Sequence, residues 1–190
     1  MNNFFIINDN IKLSILTHSL DNPSAILIHL HGLHGHFQYV SNNVDNFYNR
    51  IKYLQKANIL SYGLEFRGHG KSDGKLGCVN NIDYLISDIK RLLEYINCIH
   101  KNKPIYLLAE SMGGAIAIKS SFIIDNFDGI VLLAPMFDLA KTIKPKDFTL
   151  KILLKIAKYF PSFKVSRKTK KSYNYSINYS KNHNLPEFTN

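Results

Sequence analysis

Ser111 sits in Leu107-Leu108-Ala109-Glu110-Ser111-Met112-Gly113-Gly114-Ala115, an apolar run that meets a helix start. Small residues lie two places before it and two places after it. A nucleophile elbow needs this layout, because the turn is tight enough to strain the serine backbone and bulky neighbours would clash. The hydroxyl is then lifted above the sheet edge beside a helix N-terminus. There the Met112 N–H can face a developing oxyanion. Ala109 stands where such elbows usually carry glycine, and it is still small. The rival reading is an ordinary strand–helix junction with a capping serine.

A second donor for an oxyanion must come from a neighbouring loop. His31-Gly32-Leu33 follows the apolar run Ala25–Leu30, and the Leu33 N–H is suitably placed in sequence. The rival here is metal binding, since His29, His31, His34 and His36 cluster and alternate residues share a strand face. No cysteine or carboxylate accompanies them, so no metal is assigned. A third stretch, Glu65-Phe66-Arg67-Gly68-His69-Gly70-Lys71-Ser72-Asp73-Gly74, ends like a phosphate loop. Glu65 occupies the place of the leading glycine, so the phosphate reading fails. A structural turn under the site, using glycine for unusual backbone angles, fits better.

Alternating strand and helix patterns position these groups. Strands are expected at Phe4–Ile7 and Ile11–His18, as a hairpin, then at Ala25–Leu30, Ile59–Phe66, Ile105–Ala109 and Gly129–Ala134. Helices are expected at Val44–Ala57, Asn81–Ile99 and Met112–Ser121. Repeated strand–helix–strand units imply an α/β fold, a parallel sheet with helices on both faces. Asp147–Phe160 reads as an amphipathic helix with Lys151, Lys155 and Lys158 on one face, ended by Pro161. Residues 173–190 are polar, rich in Tyr and Asn, and expected to be disordered.

The chain has 190 residues and a formal net charge of +10, unevenly spread. Residues 1–136 hold 12 basic and 11 acidic side chains, and residues 137–190 hold 12 and 3. The body is near neutral and the last third is basic, which weakens a general nucleic-acid reading; no nucleic acid is expected as a partner. No apolar run reaches the ~20 residues of a membrane span, and the N-terminus lacks a signal-peptide pattern. Cys78 and Cys98 make no disulfide framework, so a cytoplasmic location is expected.

The ordered motifs resemble the α/β-hydrolase superfamily, within it the monoacylglycerol lipase and lysophospholipase branch of serine hydrolases. The carrying residues are His31-Gly32, Arg67 to Ser72, Glu110 to Gly114, and Val131-Leu132-Leu133-Ala134-Pro135-Met136. The resemblance implies a mostly parallel sheet with flanking helices and a partial helical cap, here lacking the last two strands. It implies domains of 1–136 (core), 137–172 (basic cap) and 173–190 (tail). It also implies a lipid ester substrate, Ser111 as nucleophile, and Leu33 and Met112 N–H groups as the oxyanion hole. No cofactor is required.

In that family an Asp and then a His follow the serine, each after a further strand. Only 54 residues follow Met136, so a C-terminal truncation is expected, with weak or absent turnover. Asp138 and His183 keep the order and are the only substitutes for the acid and base. The sixth strand would then be an open edge inviting a partner chain. The basic cap is a candidate for peripheral membrane contact. The alternative to an enzyme is a non-catalytic remnant that binds lipid, membrane or protein.

Overall fold

In the computed structural model, β3 (Ala25–Leu30) forms the middle of the sheet because it has no polar face to expose. Ile26, Ile28 and Leu30 are buried; each contributes about 1.5–3 kcal/mol of apolar burial. The structure describes residues 2–33, 35–37, 47–79, 81–137 and 147–159.

The six strands run in the order β1-β2-β4-β3-β5-β6. β1 (Asn2–Asn8) and β2 (Ile11–Thr17) form an antiparallel hairpin over Asp9 and Asn10, both at positive φ. β2 pairs antiparallel with β4 (Ile59–Leu64). β4, β3, β5 (Ile105–Glu110) and β6 (Gly129–Leu133) are parallel. The fold is therefore a mostly parallel α/β sheet with an antiparallel edge. The chain steps from β3 to β4 in one direction and from β4 to β5 in the other. Right-handed crossovers then put α1 (Phe47–Lys56) on one face. They put α2 (Ile82–Ile99) and α3 (Met112–Ser121) on the other, and these two helices pack together. Such a reversal opens a crevice at the carboxyl ends of the strands that flank it.

α2 starts where Asn81 accepts a hydrogen bond from the Asp83 N–H at 3.0 Å. Its apolar stripe of Leu85, Ile89, Leu92, Leu93 and Ile96 is buried in the main core. Its buried Asp88 takes a two-pronged hydrogen bond from Arg67, at 2.8 Å and 2.5 Å, and a third from Asn8 at 2.8 Å. That pair ties the loop after β4 to α2.

At the other end of the sheet, β6 pairs with β5 alone among the described residues, and Val131, Leu132 and Leu133 are exposed. The chain divides into two units, residues 1–38 with 47–139, and residues 39–46 with 140–190. The second contains α4 (Asp147–Tyr159), on which Lys151 and Lys155 are exposed. Ile152 is exposed too.

Candidate active site

β3 and β5 end side by side, pairing Leu30 with Ala109. The loops that leave them therefore meet. Ser111 follows β5 by one residue and carries φ 49° and ψ −114°. A side chain rarely adopts that conformation, and it persists only where surroundings enforce it. Four backbone hydrogen bonds do so. Ser111 N–H donates to Leu133 C=O at 3.0 Å, and Ser111 C=O accepts from Met136 N–H at 2.9 Å, Gly114 N–H at 3.0 Å and Ala115 N–H at 3.4 Å. The hydroxyl makes no capping bond to α3, so the capping-serine reading is set aside.

The small neighbours have identifiable reasons. A methyl group on Gly113 would lie 2.5 Å from Leu30 O and 2.7 Å from His31 O. On Gly114 it would meet Pro135 Cβ at 2.7 Å. Glycine therefore lets α3 sit directly on the end of β3. Two residues before the serine, the Ala109 methyl is fully buried in the core, where there is room for it.

Gly32 faces the serine. A Cβ there would stand 3.1 Å from Ser111 Cβ and 3.7 Å from Ser111 Oγ. Backbone thus approaches the hydroxyl directly. Neither the Leu33 N–H nor the Met112 N–H has an acceptor among the described residues. The second is an open donor of the first helical turn.

The histidines are bound into the scaffold. His31 is buried; its Nε2 accepts the Phe66 N–H at 3.1 Å and its Nδ1 lies 2.7 Å from Gly32 O. Nδ1 therefore carries the proton. Burial pushes its pKa down to about 4, so the ring is neutral near pH 7. His29 is fully buried, and burial lowers its pKa to about 3. No group of three or more metal-ligating side chains occurs among the described residues. His34, Asp138 and His183 lie outside the described residues.

Sequence reasoning missed Glu65. Its buried carboxylate accepts the Phe37 N–H at 3.0 Å and the Lys71 N–H at 2.8 Å. It thereby ties the loop after β3 to the loop after β4. The second of these loops has Gly68, Gly70 and Gly74 at positive φ. A carboxylate closing an apolar strand was the available signal. Arg50 was missed as well: it reaches Glu110, next to the serine, at 4.0 Å.

A strained serine on a strand–turn–helix, with glycine backbone against its hydroxyl, is the geometry of an α/β-hydrolase elbow. The family model described as serine aminopeptidase, S33, matches residues 21–183. The chain belongs to this family. Monoglyceride lipases are among the proteins this S33 member is similar to. Monoglyceride lipase of Rattus norvegicus is 31% identical over 87 residues, covering 44% of this chain and 28% of that protein. The Mus musculus protein is 29% identical over 116 residues, covering 60% and 36%. A soluble variant of monoglyceride lipase from Saccharomyces cerevisiae, solved with a substrate analogue, superposes with a TM-score of 0.69 at 17% identity. That match covers 93% of this chain and 60% of the other. The S33 chain thus spans about a third of the length of its rodent relatives.

Proposed function

We propose that this S33 chain carries the nucleophile and oxyanion hole of a serine ester hydrolase acting on lipid esters of the monoacylglycerol type. The observation that supports this most is Ser111 at φ 49° with Gly32 backbone against its hydroxyl. Ser111 Oγ attacks the ester carbonyl carbon, and the carbonyl oxygen becomes an oxyanion received by the Leu33 and Met112 N–H groups. Collapse expels the alcohol, which takes up a proton and leaves an acyl-enzyme. Water then releases the fatty acid. The lipid substrate class follows the names of the relatives.

Attack needs a base, and Ser111 Oγ has no hydrogen-bond partner among the described residues. His31 cannot serve, because both its ring nitrogens are engaged. Asp138 and His183 are proposed only as substitute acid and base. Absence of an acid and a base within reach of Ser111 would cost on the order of 10⁴–10⁶-fold in turnover, so weak or absent hydrolysis is the expected outcome wherever no such pair reaches the serine. A fluorophosphonate probe tests this. Slow labelling that disappears in Ser111→Ala supports the reading, rapid labelling overturns the weak activity, and labelling unaffected by Ser111→Ala overturns the nucleophile.

The exposed β6 edge favours a second reading, a non-catalytic module that pairs with another chain. Val131→Lys would then abolish self-association on size exclusion. For peripheral membrane contact, the basic residues after 136 are the candidate surface, and co-sedimentation with anionic liposomes at low salt checks it. No helix among the described residues is long and apolar enough to cross a membrane.

A further inference from the structure

We propose that His31 is a positioning residue for the oxyanion hole: its imidazole grips the Gly32 carbonyl and thereby aims the Leu33 N–H. This deepens the function proposed above and rests on it. The Gly32 carbonyl and the Leu33 N–H belong to one peptide unit, and no peptide bond among the described residues is cis. In a planar trans unit the two groups point in opposite directions. Fixing the carbonyl therefore fixes the N–H.

Two donors hold that carbonyl, His31 Nδ1–H at 2.7 Å and Gly35 N–H at 2.9 Å. In the neutral ring Nδ1 carries the donor proton only while Nε2 stays unprotonated. The Phe66 N–H ensures this by donating to Nε2 at 3.1 Å. The ring is packed edge-on against Phe37 and Phe66, with centroids at 5.6 Å and 5.1 Å, and lies 5.0 Å from the His69 ring. It has little room to rotate. Gly35 belongs to the same device, since a Cβ there would come within 3.0 Å of His31 Cβ and 2.9 Å of Gly32 O. The other end of the peptide is left unspent: the Leu33 N–H has no acceptor among the described residues. A hydrogen bond to a peptide carbonyl also polarises the unit and makes its N–H a stronger donor. The loop after β4 thus reaches the reacting centre through one neutral histidine.

The test uses the full chain, with the rate constant for fluorophosphonate labelling of Ser111 as the kinetic readout. His31→Phe keeps the aromatic packing and loses both hydrogen bonds. His31→Asn keeps a donor near the Nδ1 position. The expected result is labelling slowed about 10- to 100-fold in His31→Phe, a fraction of what loss of a whole oxyanion donor costs. His31→Asn should recover to within about threefold of the parent, although both variants lower the melting temperature. Equal labelling in His31→Phe and the parent, or equal loss in both variants, overturns the proposal.

Nitrogen-15 NMR of the parent at pH 7 gives a second readout, independent of reactivity and of whether a variant folds. The His31 imidazole must carry its proton on Nδ1, and an Nε2–H tautomer overturns the proposal. Absence of Ser111 labelling in the parent overturns the function proposed above. The tautomer, with the displacement of the Leu33 amide signal in His31→Asn relative to the parent, then decides the role of His31.

Discussion

Ser111→Gly is expected to make the folded chain more stable than Ser111→Ala, although glycine usually weakens a fold. Ser111 holds φ 49° and ψ −114°, where a residue with a side chain is strained by about 1–3 kcal/mol. Glycine adopts these angles freely but widens the unfolded ensemble, which costs about 0.4–1 kcal/mol. The hydroxyl makes no capping hydrogen bond. Alanine therefore keeps the strain and removes only the oxygen, which isolates the backbone effect. The net gain of glycine over alanine is about 1 kcal/mol, or a rise of about 2–4 °C in melting temperature for a chain of this size. Urea unfolding of the two variants, compared at equal m-value, reads it directly. A glycine variant no more stable than the alanine variant would refute the strain, and with it the claim that the fold enforces the elbow.

Three further outcomes are expected. Burial holds the His31 and His29 pKa values down at about 4 and about 3, against 6.5 in the unfolded chain. The unfolded state therefore binds more protons below pH 6.5, and stability is lost as pH falls toward 4 and then 3, by roughly several kcal/mol in all. His29→Leu should flatten the fall between pH 6.5 and 4.5 by about 1.4 kcal/mol per pH unit in urea titrations. Gly113→Ala drives a methyl to 2.5 Å from Leu30 O. It should cost about 1–3 kcal/mol as overpacking and slow labelling of Ser111, whereas an unchanged melt and rate would deny the close approach. Asp88→Ala leaves the mostly buried Arg67 without its two-pronged partner. A loss of about 3–5 kcal/mol is expected in thermal or urea unfolding, and a loss under 1 kcal/mol would mean the pair is not structural.

β3 and α3 keep in the structure the bounds their sequence patterns suggest, Ala25–Leu30 and Met112–Ser121. Both are apolar runs with sharp punctuation, so local pattern suffices. β4 is shorter than its pattern: Ile59–Leu64 against an expected Ile59–Phe66. The Glu65 side chain and the Phe66 N–H turn to partners in other loops instead of a ladder. The serine was legible because an elbow is local, a strand, a turn and a helix within nine residues. His31 was not, because its meaning depends on Phe66, 35 residues away, and histidine spacing alone raised only a metal reading that lacked supporting ligands. Strand order escaped local pattern too. β4 lies between β2 and β3 through pairings that no periodicity encodes.

The hydrogen bonds from Ser111 to Leu133 and Met136 also bear on the order of folding. Both partners lie at the exit of β6, so two of the four bonds that enforce the serine's conformation form only once β6 has docked on β5. Strain loaded that late is absent from the folding transition state and falls on the unfolding barrier. Release of β6 then frees Ser111 from two of its four restraints. Glycine at position 111 should slow unfolding while leaving the folding rate unchanged.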